Sequence, residues 1–194
     1  MTPPRLPQGE SAVALWHHGA MDPTPNTPWY RRRAARLALE LLVIVLIVVA
    51  VRGWMARDVA SGEAPVFQAE LLDGTPVALA DYAGEPLLLY IWATWCHVCR
   101  LENPAIDRLA RNHPVLTIAM QSGGPGEVAD YLDERGLAFA TIADLDGALS
   151  RRFGARGVPT LLIIDGHGAI RYRTVGYTTG WWLRARLWWI RTTG

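Results

Sequence analysis

Cys96 and Cys99 are the only two cysteines in this 194-residue chain, and they stand two residues apart in the stretch WATWCHVCR. Thiols at that spacing can form a redox pair, supply half of a metal site, or lie buried without chemistry. If the C-x-x-C opens a helix, both sulfurs fall on one face a turn apart, close enough for a disulfide of ordinary geometry. Cys96 then occupies the helix N-terminus, where unpaired amides and the macrodipole favour a thiolate; Cys99, one turn in, is more buried and less acidic. Cys96 attacks a partner's disulfide, or is attacked as part of its own, and Cys99 resolves the mixed disulfide. His97, between them, can stabilise the Cys96 thiolate and make the disulfide more oxidising, or it can be an exposed residue of little effect. Trp92 and Trp95 can wall the thiols with apolar surface, although Trp92 fits the core equally well. A zinc or copper centre needs further ligands. His97 is the only histidine near in sequence, and His113 and His167 are remote, so no metal site is expected.

The surrounding residues predict how the pair is held. Leu87–Trp92 is a continuous apolar run, as expected of a strand covered on both faces. CHVCRLENPAIDRLARN has helical spacing, with Val98, Leu101, Ile106, Leu109 and Ala110 on the expected apolar side and Pro104 expected to kink it. Short strands flank an Asp73-Gly74 turn upstream. PVLTIAMQ reads as a second apolar strand, PGEVADYLDERG as an amphipathic helix ended by Gly136, and LSRRFGARG as a short helix. PTLLIID and AIRYRTVGY follow as strands about a DGHG turn. Strands alternating with helices imply an α/β sandwich with central parallel pairing.

Composition narrows the function. A net charge of +1 offers no concentrated basic face for nucleic acid, and all 19 basic residues are arginines, which excludes a Walker lysine or a Schiff-base lysine. The SGGPGE glycines lack the lysine-serine ending of a phosphate loop, and no G-x-S-x-G elbow is present. Residues 1–30 are proline-rich with little apolar periodicity and read as a disordered tail, in which His17 and His18 read as solvated. From Leu37 to Val51 only Glu40 interrupts an apolar run. A helix over 34–55 rises ~33 Å, about the hydrocarbon thickness of a bilayer. Arg52 falls near its exit end, where a long polar side chain can reach the headgroups. Trp29, Tyr30 and Trp54 suit the interfaces. Four arginines (Arg31, Arg32, Arg33 and Arg36) precede the run, against Arg52 and Arg57 after it. The N-terminus is therefore expected in the cytoplasm and residues 64–194 outside it. A cleaved signal peptide is the alternative, and it also exports the cysteines.

The motifs APVF, LDG, WATWCHVC, CRLENP and GVPT occur in order across residues 64–178. Together they resemble the thioredoxin superfamily, in particular the membrane-tethered extracytoplasmic thiol–disulfide oxidoreductases related to TlpA and ResA. The ending GYTTGWWLRARLWW further resembles the branch called suppressor of copper sensitivity D. The resemblance implies a thioredoxin-like α/β/α sandwich with a mixed central sheet, preceded by one transmembrane helix in a bacterial inner membrane, with the domain in the periplasm. It implies a redox-active Cys96–Cys99 disulfide with no other cofactor, protein thiols or disulfides as clients, and a membrane thiol reductant as electron donor. It implies that Pro159 is cis and lies against the cysteines, with the Val158 backbone free to pair with a client strand. Many thioredoxins carry a buried aspartate six residues before the first cysteine, and that position is Tyr90 here. Glu102, from the C-R-x-E-x-P pattern, is a candidate substitute for proton transfer, with a surface salt bridge to an arginine as the alternative; Glu70 is another candidate. A client- or copper-binding module without turnover and a thiol peroxidase remain the other readings, although the threonine-rich peroxidatic motif is not visible.

The last segment, WWLRARLWWIR, carries Trp181, Trp182, Trp188 and Trp189 with Leu183, Leu187 and Ile190. It reads either as a final helix packed on the sheet or as a patch that meets a membrane or partner.

Overall fold

The computed structural model describes residues 29–193; the proline-rich stretch 1–28, with His17 and His18, lies outside the described residues. The described residues divide into two units at residue 43, the second comprising residues 44–193. A single helix, α1 (Trp29–Ala56), runs from the first into the second. It starts before the expected residue 34 because the arginine-rich lead-in also takes helical form. Its residues 33–56 have a mean hydropathy of up to 2.7 over an 18-residue window and are long and apolar enough to cross a membrane.

The second unit then runs β1 (Gly62–Glu63), β2 (Gln68–Glu70), β3 (Pro76–Ala78), β4 (Leu87–Trp92), α2 (His97–Ala110), β5 (Val115–Met120) and α3 (Pro125–Asp133). It continues through β6 (Thr141–Asp144), α4 (Ala148–Arg152), β7 (Thr160–Ile164), β8 (Ala169–Val175) and α5 (Gly180–Thr193). Six strands form a mixed sheet in the order β1-β8-β7-β4-β5-β6. β4, β5 and β6 are parallel, whereas β7 runs antiparallel to β4 and β8 antiparallel to β7. This is the thioredoxin-like α/β arrangement. β2 and β3 make a separate hairpin, with Gly74 at φ +82° and the Thr75 amide on Asp73 Oδ1 at 2.9 Å. A side chain at that φ is disfavoured, which is why Asp-Gly marks the turn.

β4 is buried along its whole length, and its alternation divides two cores. Leu88, Tyr90 and Trp92 face a cluster containing both cysteines, Ile106 of α2, and Leu183 and Leu187 of α5. Leu87, Leu89 and Ile91 face the other, with Phe67 and Phe153.

Two expectations are corrected. β6 has no counterpart in the sequence reading: it is only four residues, two of them polar, and its buried Thr141 hydroxyl hydrogen-bonds that of Thr117 at 2.8 Å. In α2, Val98 and Leu101 point outward, at 41% and 74% exposure, and the buried face carries Cys99, Glu102, Asn103, Ile106, Asp107 and Leu109. The cysteine pair and the polar residues in register with it set the rotation of this helix, against its apolar spacing. α5 packs as the final helix of the domain: Leu183, Leu187 and Ile190 turn inward, whereas Trp181, Trp182, Trp188 and Trp189 remain on the surface.

Candidate active site

The cysteines lie where β4 ends and α2 begins, at the carboxyl ends of the parallel strands. Cys96 is the N-cap of α2, with extended backbone, and its Sγ accepts from the Cys99 amide at 3.1 Å. A disulfide joins the two residues, with their Cα atoms 5.3 Å apart. Cys96 retains 6% exposure and Cys99 none, so the pair is asymmetric in access. No acidic side chain occupies the first turn of α2, leaving the positive end of its dipole for the Cys96 sulfur.

Two loops hold this junction in place. The Thr94 amide donates to Ser122 Oγ at 3.0 Å, and the Trp95 indole donates to the Gln121 carbonyl at 3.0 Å. The Gln121 amide in turn donates to the Asp144 carbonyl at 2.8 Å, linking the ends of β5 and β6. Trp95 is exposed, while Trp92 is fully buried: its indole donates to Thr117 Oγ1 at 3.1 Å and its ring lies 5.3 Å from Tyr131. Trp92 therefore belongs to the core and Trp95 to the surface. His97 is exposed at the first helical position. The Val158–Pro159 peptide is cis, and Val158 packs against the cluster containing both cysteines.

Glu102 follows Cys99 by one turn on the same buried face and has no solvent exposure. It makes no surface salt bridge. Its Oε1 accepts from the Thr178 amide at 2.8 Å, and Oε2 has no partner among the described residues. Burial pushes its carboxyl up to about 7, against the opposing effects of the Thr178 amide, Arg52 and Tyr90. Tyr90, in place of the buried aspartate, directs its hydroxyl to Asn103 Oδ1 at 3.0 Å. Burial, and then the neighbouring Glu102, raise the phenol far above its ordinary range. Glu70 is exposed on the β2–β3 hairpin and is not part of this group. His113 and His167 lie toward the opposite end of the sheet, before β5 and in the β7–β8 turn. Among the described residues no group of three or more His, Cys, Asp or Glu could hold a metal ion.

The sequence reading passed over Asn103 and Thr178, and it took Arg52 for a residue reaching the headgroups. Asn103 carries no motif signal, and Thr178 contributes a backbone amide that any residue but proline supplies. The Arg52 guanidinium does not reach outward: it donates to the Tyr177 carbonyl at 2.8 Å and to Thr174 Oγ1 at 3.2 Å, more than a hundred positions away.

Comparison with known proteins agrees with this geometry. Residues 60–173 match the AhpC/TSA family. A thioredoxin-like protein of Haemophilus influenzae is 29% identical, covering 80% of this chain and 94% of that protein. The thiol:disulfide interchange protein DsbE of Escherichia coli K12 is 32% identical, covering 73% of this chain and 85% of that protein. Among solved structures, MTB dsbF in its mixed oxidized and reduced forms is 26% identical with a TM-score of 0.58, covering 64% of this chain and 94% of that one. With its fold and more than half its length matched, the chain belongs to the AhpC/TSA family, in the company of the DsbE-type thiol:disulfide interchange proteins.

Proposed function

We propose that the chain is a membrane-anchored thiol–disulfide oxidoreductase, with residues 34–55 spanning a bacterial inner membrane. Residues 64–194 form the exchanging domain on the periplasmic side. Its chemistry is protein-disulfide exchange on a thioredoxin-like scaffold, and no cofactor beyond the cysteine pair enters the scheme. The observation that carries the reading is the Cys96–Cys99 bond at a helix N-terminus, with one sulfur within reach of solvent and the other closed off.

We assign the steps as follows. In the reduced protein the Cys96 thiolate attacks one sulfur of a client disulfide, forming a mixed disulfide and releasing the first client thiolate, which takes a proton from water. The Cys99 thiol passes its proton to the Glu102 carboxylate, and the Cys99 sulfur attacks Cys96 Sγ. The second client thiolate leaves and is protonated, and the protein is left as the intramolecular disulfide. Two electrons have moved to the client, and a membrane thiol reductant restores the dithiol. A carboxyl titrating at about 7 can both accept and return a proton at neutral pH. Val158 offers backbone for a client strand beside Pro159, and the exposed Trp95, Val98 and Leu101 offer apolar surface for a protein client. His97, at the helix start, tunes the Cys96 thiolate.

Trapping free thiols in cells tests the direction of flow. A mostly reduced pair that becomes oxidised when the membrane reductant is removed is expected of a reductase. A pair that stays oxidised in both backgrounds rules out that direction. An enzyme reporter fused after Trp54 and active only in the cytoplasm would overturn the topology.

A further inference from the structure

Arg52 sits one turn before the end of α1, at the limit of its apolar run. Its Nη2 is shared among the Tyr177 carbonyl at 2.8 Å, Thr174 Oγ1 at 3.2 Å, the Gly176 carbonyl at 3.3 Å and Thr178 Oγ1 at 3.5 Å. Three of these acceptors lie on the short segment between β8 and α5, and Thr174 is near the end of β8 itself. The amide of that same segment, at Thr178, makes the one hydrogen bond to Glu102, at 2.8 Å to Oε1. A guanidinium on α1 and a carboxyl beside the resolving cysteine thus share one piece of backbone.

We propose that Arg52 is a positioning residue for Glu102, holding the Thr174–Thr178 segment whose amide meets the carboxyl, so that proton handling at the cysteine pair depends on the end of α1. The proposal rests on the redox reading given above. An arginine meant only to meet lipid headgroups would extend into solvent, and a purely structural tie would need no acceptor next to the active-site carboxyl. The Arg52 charge acts on Glu102 in the direction opposite to burial. The other groups that bear on Glu102 are the Thr178 amide before α5 and Tyr90 of β4, itself influenced by Tyr131 of α3. Removing the cation therefore raises the pH at which the carboxylate forms.

The experiment uses the reduced full chain in detergent micelles with oxidised glutathione as the disulfide. Samples are quenched in acid, and the remaining thiols are alkylated and counted by mass. In the wild type, the acid limb of the rate of disulfide closure, beyond the part set by Cys96 protonation, carries a component with its midpoint near the Glu102 value of about 7. In Arg52→Gln it moves upward by roughly half a pH unit. Arg52→Lys keeps the charge and restores the wild-type midpoint. Glu102→Gln removes the Glu102 component and leaves only the part of the acid limb set by protonation of Cys96, and adding Arg52→Gln to it produces no further shift. A wild-type midpoint in Arg52→Gln, or a shift that persists without Glu102, overturns the proposal. If Arg52→Gln fails to fold, Arg52→Lys stands as the independent arm, and a displaced midpoint there also overturns it. A wild-type chain that never exchanges with glutathione removes the redox reading itself, an outcome distinct from an unshifted variant.

Discussion

Two carboxyls on the buried face of α2, Glu102 near the cysteines and Asp107 toward the far end, are held in opposite ways. Asp107 is buried as well, yet its Oδ1 accepts from the Ala138 amide at 2.8 Å and its Oδ2 from Arg111 at 2.9 Å. Burial works against its charge, but the Ala138 amide and the Arg111 guanidinium outweigh it and hold the group below the usual carboxylate range. Glu102 has one donor and an unpartnered oxygen, and burial wins. Depth and donors together separate a structural carboxylate from one that can exchange a proton near neutral pH: Glu102 is the more deeply enclosed of the two and has fewer donors aimed at it, so burial prevails at the site end of the helix.

Changing the chemistry at the site end should break this contrast most severely. Cys99→Ser stops turnover while leaving Cys96 able to attack, so client proteins accumulate as mixed disulfides, visible as ladders on non-reducing gels. Next in size is the pH dependence of stability. The folded-state value of Glu102 is raised from 4.5 to about 7, so the folded form holds its proton where the unfolded chain has released it. That favourable difference is complete below pH 4.5 and lost as pH rises through 7. The loss is roughly 3 kcal/mol by the linkage relation. Denaturation of the oxidised protein should show this decline in the wild type and its absence in Glu102→Gln; a decline retained in the variant would assign it elsewhere. Asp107→Asn acts at the opposite end of the scale. The depressed group stabilises the fold above its unfolded value of 3.8 and ceases to as pH falls through its lower folded value, so this variant loses roughly 1–2 kcal/mol at neutral pH and nothing in strong acid. The smallest effect is expected on α5, where Trp188 is 62% exposed. Trp188→Gln should change stability by less than ~0.5 kcal/mol and leave both pH slopes in place. A larger loss would mean that the tryptophan face is packed against something.

How much of this could be read in advance depended on the range of the interaction. Leu87–Trp92 announced a doubly covered strand because every residue in it is apolar. The cysteine spacing at a strand–helix junction placed both sulfurs on one face, and GVPT placed a proline loop near them. β6 stayed hidden because its pairing, not its composition, makes it a strand. Val98 and Leu101 misled because periodicity counts apolar residues and cannot see that Glu102 and Asn103 have partners waiting on β4 and before α5. Arg52 was legible only as a charge at the end of an apolar run; the acceptors that claim it lie more than a hundred positions away.

Trp92 also has an optical consequence. It is fully buried and shares a packed cluster with both sulfurs, whereas Trp54, Trp95, Trp181, Trp182, Trp188 and Trp189 lie partly or largely at the surface. A nearby disulfide drains the excited state of an indole more efficiently than thiols do. Opening the bond should therefore brighten a blue-shifted emission, giving the molecule a native gauge of its own oxidation level that requires no label.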